Sequence, residues 1–420
     1  MRFASYSGMW VLWVLMVGFP PLGHTALLGR VDLVAETAVQ HYIDGVVQGG
    51  EASARHGVWL QSEHGVLAHH QGNVPLPVAS LTKVATTMAS LQTWGPMHQF
   101  VTMVEATGPL QDGVLRGDLV VQGSGDPFFV TDDALELRRA LRGLGLKRVT
   151  GKLIISGNFF MNFTPTSLAS GKLLKQTLAP PPAPRRTGKK RHATPAADPQ
   201  ALIIDGPVEV VSFCPPTQGS LVRHRSLALF KTLKRMNVYS NNAMAEMLTV
   251  SLGGLPQMVT QAARGARLPA VDLHLINGSG LGPENQLSAR TVCALFSGIH
   301  NLLTPAKLTV ADVFPVAGTD RGTIRRRQIP AYTIVKTGTL RKVATLAGGM
   351  FTRAHGPVWF ALINQGPNLW NFRTQQDSLL HNLMGHWGAM APPPAMFTPT
   401  IPGTETIRND ILPRVKASGG

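Results

Sequence analysis

Apolar positions recur along the chain with two periods, and the changes of period mark out its elements. Leu81, Val84, Ala85, Met88 and Leu91 fall at i, i+3, i+4, i+7 and i+10, the stripe of one helix face, and Gly95-Pro96 closes it. Residues 115–122 (LRGDLVVQ) and 151–156 (GKLIIS) predict strands, with a helix over 134–144 between them. Residues 227–252 predict one long helix ended by Gly253-Gly254. Segments 332–336, 345–351 and 358–364 alternate or run apolar between glycine-containing turns, the pattern of consecutive antiparallel strands. Leu369, Phe372, Leu379, Leu380, Leu383 and Trp387 predict a C-terminal amphipathic helix. Helices on both sides of antiparallel strands predict one α/β domain interrupted by an insertion.

Three stretches break this patterning. Residues 9–19 (MWVLWVLMVGF) form an uncharged apolar run behind Arg2, broken by Pro20, Pro21 and Gly23. Its length suits the core of a signal peptide and is short for a bilayer span, so residues 1–26 are expected to be an export signal. Residues 173–200 collect six prolines with Arg185, Arg186, Lys189, Lys190 and Arg191. Proline blocks helix and ladder pairing and like charges repel, which predicts an exposed loop. Residues 391–420 are proline-rich without periodicity and predict a disordered tail.

Composition narrows the class. The chain has 420 residues, 44% of them hydrophobic, enough for two or three domains with a sizeable core. A net charge of +16 with only 15% charged residues means few acids rather than many lysines, and points to an anionic partner. Arg325-Arg326-Arg327 and Arg341-Lys342 carry part of that surplus. They are either attracted to wall carboxylates or lipid headgroups at the cell periphery, or simply solvated; for the proline-rich loop the solvated reading is preferred. No nucleic-acid module is present. Two cysteines, Cys214 and Cys293, exclude a disulfide scaffold and a Cys-rich zinc module, and leave their own pairing open.

The chain lacks HExxH, GxSxG, a Walker loop followed by Ser or Thr, and GxGxxG after a strand, so no metal or organic cofactor is expected. It does contain one S-x-x-K, Ser80-Leu81-Thr82-Lys83, at the start of the first striped helix. Three-residue spacing puts hydroxyl and amine on one helix face, where a desolvated lysine can take the serine proton. Alone, the motif equally describes an N-cap with a surface lysine. Ser240-Asn241-Asn242 and Lys336-Thr337-Gly338-Thr339 follow in the order that marks penicillin-binding proteins and serine β-lactamases. In that set Ser240 relays protons and Asn242 bonds a substrate amide. Lys336 and Thr337 meet a carboxylate, and Gly338 lets a peptide lie along the strand edge. The Thr339 and Ser80 N–H groups form an oxyanion hole. Ser156-Gly157-Asn158 and Arg186-Thr187-Gly188 mimic two of the motifs from contexts that suit them poorly.

The set resembles the penicillin-binding D-alanyl-D-alanine carboxypeptidases of peptidase family S13, the penicillin-binding protein 4 group. Further segments carry the likeness: Leu115-Arg116-Gly117-Asp118-Leu119 with Gly123-Ser124-Gly125-Asp126-Pro127, Asn277-Gly278-Ser279-Gly280-Leu281, Phe314-Pro315-Val316-Ala317-Gly318 with Gly322-Thr323 and Arg325, and Leu362-Ile363-Asn364. The resemblance implies attack of Ser80 on the penultimate D-Ala of a peptidoglycan stem peptide, an acyl-enzyme that water hydrolyses, trapping by β-lactams, and endopeptidase cleavage of cross-links. It departs from the pattern twice. The span from Ser80 to Ser240 is short, so one inserted domain is expected. Ser156 also stands where members that bind the diaminopimelate amine are expected to carry an acid.

The expected architecture is a β-lactamase/DD-peptidase-like antiparallel sheet flanked by helices and interrupted by a smaller inserted domain. Its parts would be residues 27–100 and 223–390, with the insertion at 101–222. Two alternatives stand beside the carboxypeptidase: an idle wall-binding protein with the same fold, and a true β-lactamase, for which no added base is visible. The location implied by export is the periplasm or another extracytoplasmic space.

Overall fold

A computed structural model describes residues 32–48, 55–180, 201–390, 393–395, 398–400 and 408–412. The expected signal peptide and the proline-rich, basic part of the 173–200 loop lie outside the described residues.

The first element among the described residues is helix α1 (Leu33–Val47), which was not expected from the sequence. The Asp32 carboxylate caps it, accepting from the N–H groups of Val34 and Ala35 at 2.8 and 3.0 Å. Its buried positions Ala35, Ala38, Val39, Tyr42, Ile43 and Val46 form one face. The hairpin β1 (His56–Ser62) and β2 (Gly65–His70) follows, then a short β3 (Leu76–Pro77), one 3-10 turn over Ala79–Leu81, and α2 (Thr82–Trp94). The expected α2 stripe is buried, but so are Thr82, Lys83, Thr86, Thr87 and Ser90 on the other faces. Four of these polar side chains are bonded internally: Thr86 to the Gly278 carbonyl at 2.7 Å, Ser90 to the Thr86 carbonyl at 2.8 Å, Thr87 by Asn237 at 3.0 Å, and Lys83 to the Ser279 carbonyl at 2.7 Å. A helix enclosed on all sides can thus stay polar where the site needs it.

The insertion comprises β4 (Val101–Ala106), the short β5 (Leu110–Gln111) and β6 (Val114–Leu115), β7 (Leu119–Ser124), α3 (Thr131–Gly143), the short β8 (Arg148–Val149), β9 (Leu153–Asn158), α4 (Ser167–Leu178), β10 (Ile203–Ile204), β11 (Val208–Val211) and β12 (Gly219–Arg225). Its larger sheet runs β11-β9-β7-β4-β12, with β7, β9 and β11 parallel and β4 antiparallel to both β7 and β12. Val121 and Ile155 from the sheet pack with Leu137, Leu141 and Leu174 from α3 and α4 in a core of its own.

Three expectations change here. Residues 173–178 belong to α4, because Leu174 and Leu178 are buried and extend the helix up to the prolines. The expected boundary at 222/223 falls inside β12, which continues to Arg225. Within the tail, β17 (Arg408–Ile411) pairs antiparallel with β12 and completes a six-stranded sheet, since the outer edge of β12 offers open ladder groups.

The second half returns to the first body through α5 (Leu229–Tyr239), α6 (Asn242–Ser251), α7 (Leu255–Ala266), the short β13 (Gln286–Leu287) and α8 (Ala289–Leu303). Strands β14 (Ile334–Leu340), β15 (Val343–Thr352) and β16 (Gly356–Gln365) then lead to α9 (Leu369–Trp387). The main sheet is antiparallel, in the order β14-β15-β16-β1-β2. Along β16, Val358, Phe360 and Leu362 face the core under α1 and α9, while Trp359, Ala361 and Ile363 face the core around α2 and α8. Both faces are covered, which is why 358–364 reads as an unbroken apolar run. The outer edge of β14 is left beside the Ala79–Leu81 turn.

Candidate active site

Ser80 sits in the turn that opens α2, and its neighbours set its position. Ala79 takes a left-handed φ of +50°, rare for a residue with a Cβ. The strain is contained by close packing: a Cβ at Gly280 would overlap the Ala79 carbonyl, so only glycine fits there. The Val78 N–H donates to the Asn285 carbonyl at 3.0 Å and fixes the approach to the turn. Lys83 follows one helical turn later and is fully buried.

The Lys83 amine touches three oxygens: Ser80 Oγ at 3.1 Å, Asn242 Oδ1 at 2.7 Å and the Ser279 carbonyl at 2.7 Å. Desolvation by burial lowers its pKa from the usual lysine range to about 7, with attraction to Glu246 opposing the shift. In the neutral amine, two N–H groups satisfy Asn242 and Ser279, which can only accept, and the lone pair is left for the Ser80 hydroxyl proton.

Ser240 and Asn242 come from a break that the sequence pattern hid. The single helix expected over 227–252 is two helices, because Ser240 turns left-handed at φ +52° after α5. Asn241 then starts α6 by accepting the Met244 N–H at 3.1 Å. An Asn in that position competes with helix continuation, and the resulting corner brings Ser240 and Asn242 to the cleft. One turn beyond Asn242, Glu246 accepts from the Gly278 and Ser279 N–H groups at 3.3 and 2.9 Å. It thereby holds the loop whose carbonyl meets Lys83. Glu246 was not singled out from the sequence, although its i, i+4 spacing from Asn242 places it on the same helix face.

Strand β14 brings the third set. Buried Lys336 donates to Ser240 Oγ at 2.9 Å and to the Thr337 carbonyl at 2.8 Å. Burial, and then repulsion from Lys83, push its pKa well below the usual lysine range. The Thr337 hydroxyl bonds Thr323 Oγ1 at 2.8 Å, and the Thr345 hydroxyl donates to the Val78 carbonyl at 3.1 Å, tying the strand pair to the Ser80 turn. A Cβ at Gly338 would stand 3.0 Å from the Ser80 nitrogen and 2.8 Å from the Val78 carbonyl. Thr339 lies two residues from Thr337 on the same strand, and Arg373 donates to its hydroxyl at 3.0 Å.

All eight residues singled out from the sequence therefore meet at one place. Ser80, Ser240, Asn242, Thr337 and Thr339 line a cleft of about 1190 Å³ that continues to Arg325, Arg326 and α9. The mimics do not join it. Ser156 is buried on β9 in the insertion, and residues 186–188 lie outside the described residues. Thr323 and Arg373 are further cleft residues that no sequence motif announced by role.

The model of the D-Ala-D-Ala carboxypeptidase 3 (S13) family matches residues 39–171 and 204–383, well over half of the chain. The chain belongs to that family. It is thus a serine-type D-Ala-D-Ala carboxypeptidase, a hydrolase. Among curated relatives of this S13 carboxypeptidase, carboxypeptidase Rv3627c of Mycobacterium tuberculosis is 26% identical over 341 residues, 70% of this chain and 73% of the relative. D-alanyl-D-alanine carboxypeptidase DacB of Haemophilus influenzae is 22% identical over 395 residues, 70% of this chain and 81% of the relative. Two solved structures share the fold. The predatory endopeptidase Bd3459 of Bdellovibrio bacteriovorus, bound to its immunity protein, superposes with a TM-score of 0.64 at 21% identity, covering 86% of this chain and 98% of that one. Penicillin-binding protein 4 of H. influenzae gives 0.61 at 19% identity, covering 80% and 99%. The β-lactamase/DD-peptidase-like α/β fold expected from the sequence agrees with these likenesses.

Proposed function

We propose that Ser80 is the nucleophile of an acyl-transfer cycle on peptidoglycan stem peptides and that Lys83 is its base. As the Ser80 oxygen attacks the carbonyl carbon of the penultimate D-Ala, the neutral Lys83 amine takes its proton. The Ser80 and Thr339 N–H groups receive the developing oxyanion. When the C–N bond breaks, the Ser240 hydroxyl gives its proton to the departing amine and takes in exchange the proton that Lys83 received from Ser80, so Lys83 is neutral again before deacylation, and Asn242 bonds the substrate amide. The terminal carboxylate is taken by Lys336 and the Thr337 hydroxyl; its arrival favours the ammonium form of Lys336. Gly338 leaves the strand edge bare, so the peptide can lie against it. Water then attacks the ester, Lys83 accepts its proton and returns one to Ser80, and the cycle closes.

The observation that carries this reading is the contact of the fully buried Lys83 amine with Ser80 Oγ at 3.1 Å. A penicillin G acylated form of the Bdellovibrio endopeptidase supports β-lactam trapping as the counterpart reaction on the same fold. Endopeptidase cleavage of cross-links fits the likeness to Bd3459, a predatory peptidoglycan endopeptidase. An extracytoplasmic location, with residues 1–26 as export signal, fits a wall substrate; among the described residues no helix is long and apolar enough to cross a membrane.

The test is intact-mass spectrometry with benzylpenicillin on wild type and Ser80→Ala. One adduct that lasts for minutes in wild type and is missing in the variant is expected. Turnover without a lasting adduct would make the protein a β-lactamase. No adduct and no turnover in folded wild type would leave an idle wall-binding protein.

A further inference from the structure

The cleft is larger than a terminal D-alanine needs. Its volume of about 1190 Å³ exceeds the roughly 300–1,000 Å³ that encloses a drug-sized ligand. Its charge is also one-sided. Asp377 is the one carboxylate among the described lining residues, and it is taken up by Arg327, which meets it at 2.6 Å. None of the ion pairs among the described residues engages Arg325, Arg326 or Arg373.

These three arginines are placed with respect to the chemistry. Arg325 lies two residues beyond Thr323, whose hydroxyl meets Thr337, and Arg373 donates to Thr339. Thr337 is where the carboxylate next to the scissile bond would bind, and that carboxylate belongs to the departing residue. The arginines that have no carboxylate partner among the described residues therefore gather on the leaving-group side of Ser80. Guanidinium groups match carboxylates in a planar, two-bond geometry, and three of them exceed what one terminal carboxylate can engage.

Resting on the acyl-transfer reading above, we propose that Arg325, Arg326 and Arg373 form a second anion subsite, which selects leaving groups that carry a carboxylate besides the one at Thr337. The ligand class is a D-amino acid or peptide amine with at least two carboxylates. The subsite acts on binding and orientation of the leaving group and makes no bond to the reacting atoms.

The probe is a set of N-acylated peptides ending in D-Ala-D-Ala, D-Ala-D-Glu and D-Ala-D-Gln. D-Glu and D-Gln have the same size and differ in charge. Wild type is expected to hydrolyse the D-Glu peptide about tenfold faster than the D-Gln peptide in kcat/KM, with the difference in KM and shrinking as salt rises. The triple change Arg325→Gln, Arg326→Gln, Arg373→Gln should abolish the preference, and the corresponding triple change to lysine should restore part of it. Benzylpenicillin labelling reports that each variant is folded and can acylate. Equal rates for D-Glu and D-Gln in wild type, or a preference that survives the glutamine changes, overturn the subsite while leaving acyl transfer standing. No labelling and no hydrolysis of any peptide overturns acyl transfer, and the subsite with it.

Discussion

The Glu246 carboxylate accepts the Ser279 N–H at 2.9 Å, and the carbonyl of that same residue accepts from Lys83 at 2.7 Å. Glu246 thus acts on Lys83 in two ways, by fixing one of its acceptors and by attracting its charge. The two effects separate in Glu246→Gln. Loss of the negative charge removes the contribution that raises the Lys83 pKa, so the acid limb of the acylation rate should move to lower pH. A looser Ser279 loop should cut the plateau by about ten- to a hundredfold, the scale of a small misplacement of catalytic groups. Benzylpenicillin acylation rates across pH read both; a limb that stays put or moves up would contradict the electrostatic role.

In wild type, the acylation rate should rise with pH through a midpoint of about 7, as the ammonium of Lys83 gives way to the amine that can accept the Ser80 proton. Lys83→Arg, which stays charged and cannot act as base, should lose about a thousandfold at the plateau and show no limb near 7. The measurement is the second-order acylation rate between pH 5 and 9. A flat profile in wild type would remove Lys83 from the role of base.

Gly338→Ala tests the bare strand edge. The added methyl would crowd the Ser80 nitrogen and the Val78 carbonyl and would overlap the Thr345 hydroxyl, so the strand must back away from the Ser80 turn. Acylation is expected to fall at least a hundredfold, the loss typical of a disturbed oxyanion site. The unfolding midpoint should drop far less than the rate implies, which denaturant titration of the same sample checks.

Asn364 on β16 tests the buried polar knot behind the sheet. Its Oδ1 accepts from Tyr42 and from Gln376, each at 2.8 Å, and its amide nitrogen lies 3.2 Å from His56 Nδ1. Burial holds the His56 pKa at about 4, so that ring is neutral and Nδ1 is the acceptor. Asn364→Leu strands the Tyr42 hydroxyl in the core, leaves the Gln376 amide nitrogen only the Ala344 carbonyl at 3.2 Å, and should destabilise the protein by about 2–4 kcal/mol. Gln376 also accepts from Arg327 at 3.0 Å, so the loss should reach the cleft as slower acylation. Urea unfolding measures the first effect and penicillin labelling the second.

The sequence made the sheet and the motif residues legible because both repeat at short range. Residues 358–364 declare a buried strand by their own composition, and Ser80 and Lys83 share a face through spacing alone. What escaped depends on contacts across the chain. The corner at Ser240 interrupts an apolar pattern that is itself continuous through two helices. Glu246 has meaning only against Ser279, thirty-three residues away. Arg373 sits on an amphipathic helix whose polar face gives no hint that it meets Thr339. Strand β17 borrows its order from the open edge of β12 rather than from its own residues.

The chain leaves the catalytic body at Phe100 and re-enters it at Ser226, and these two residues are bonded twice: Ser226 N–H to the Phe100 carbonyl at 3.0 Å and the Phe100 N–H to Ser226 Oγ at 2.9 Å. The described residues between them are joined to that body by this root, one strand-spacing wide, by Phe128, which packs on the core around α2 beneath Arg235, and by β17 on the edge of β12. For the body that carries Ser80, the intervening residues amount to a loop with fixed ends, and the entropy of closing a flexible loop grows by only about 0.6 kcal/mol for each doubling of its length. The length of the insertion is therefore a weak lever on the hydrolytic half, and a short turn joining Phe100 to Ser226 would leave that half its chain unbroken and the buried members of its two cores, at the cost of the Phe128 contact with Arg235.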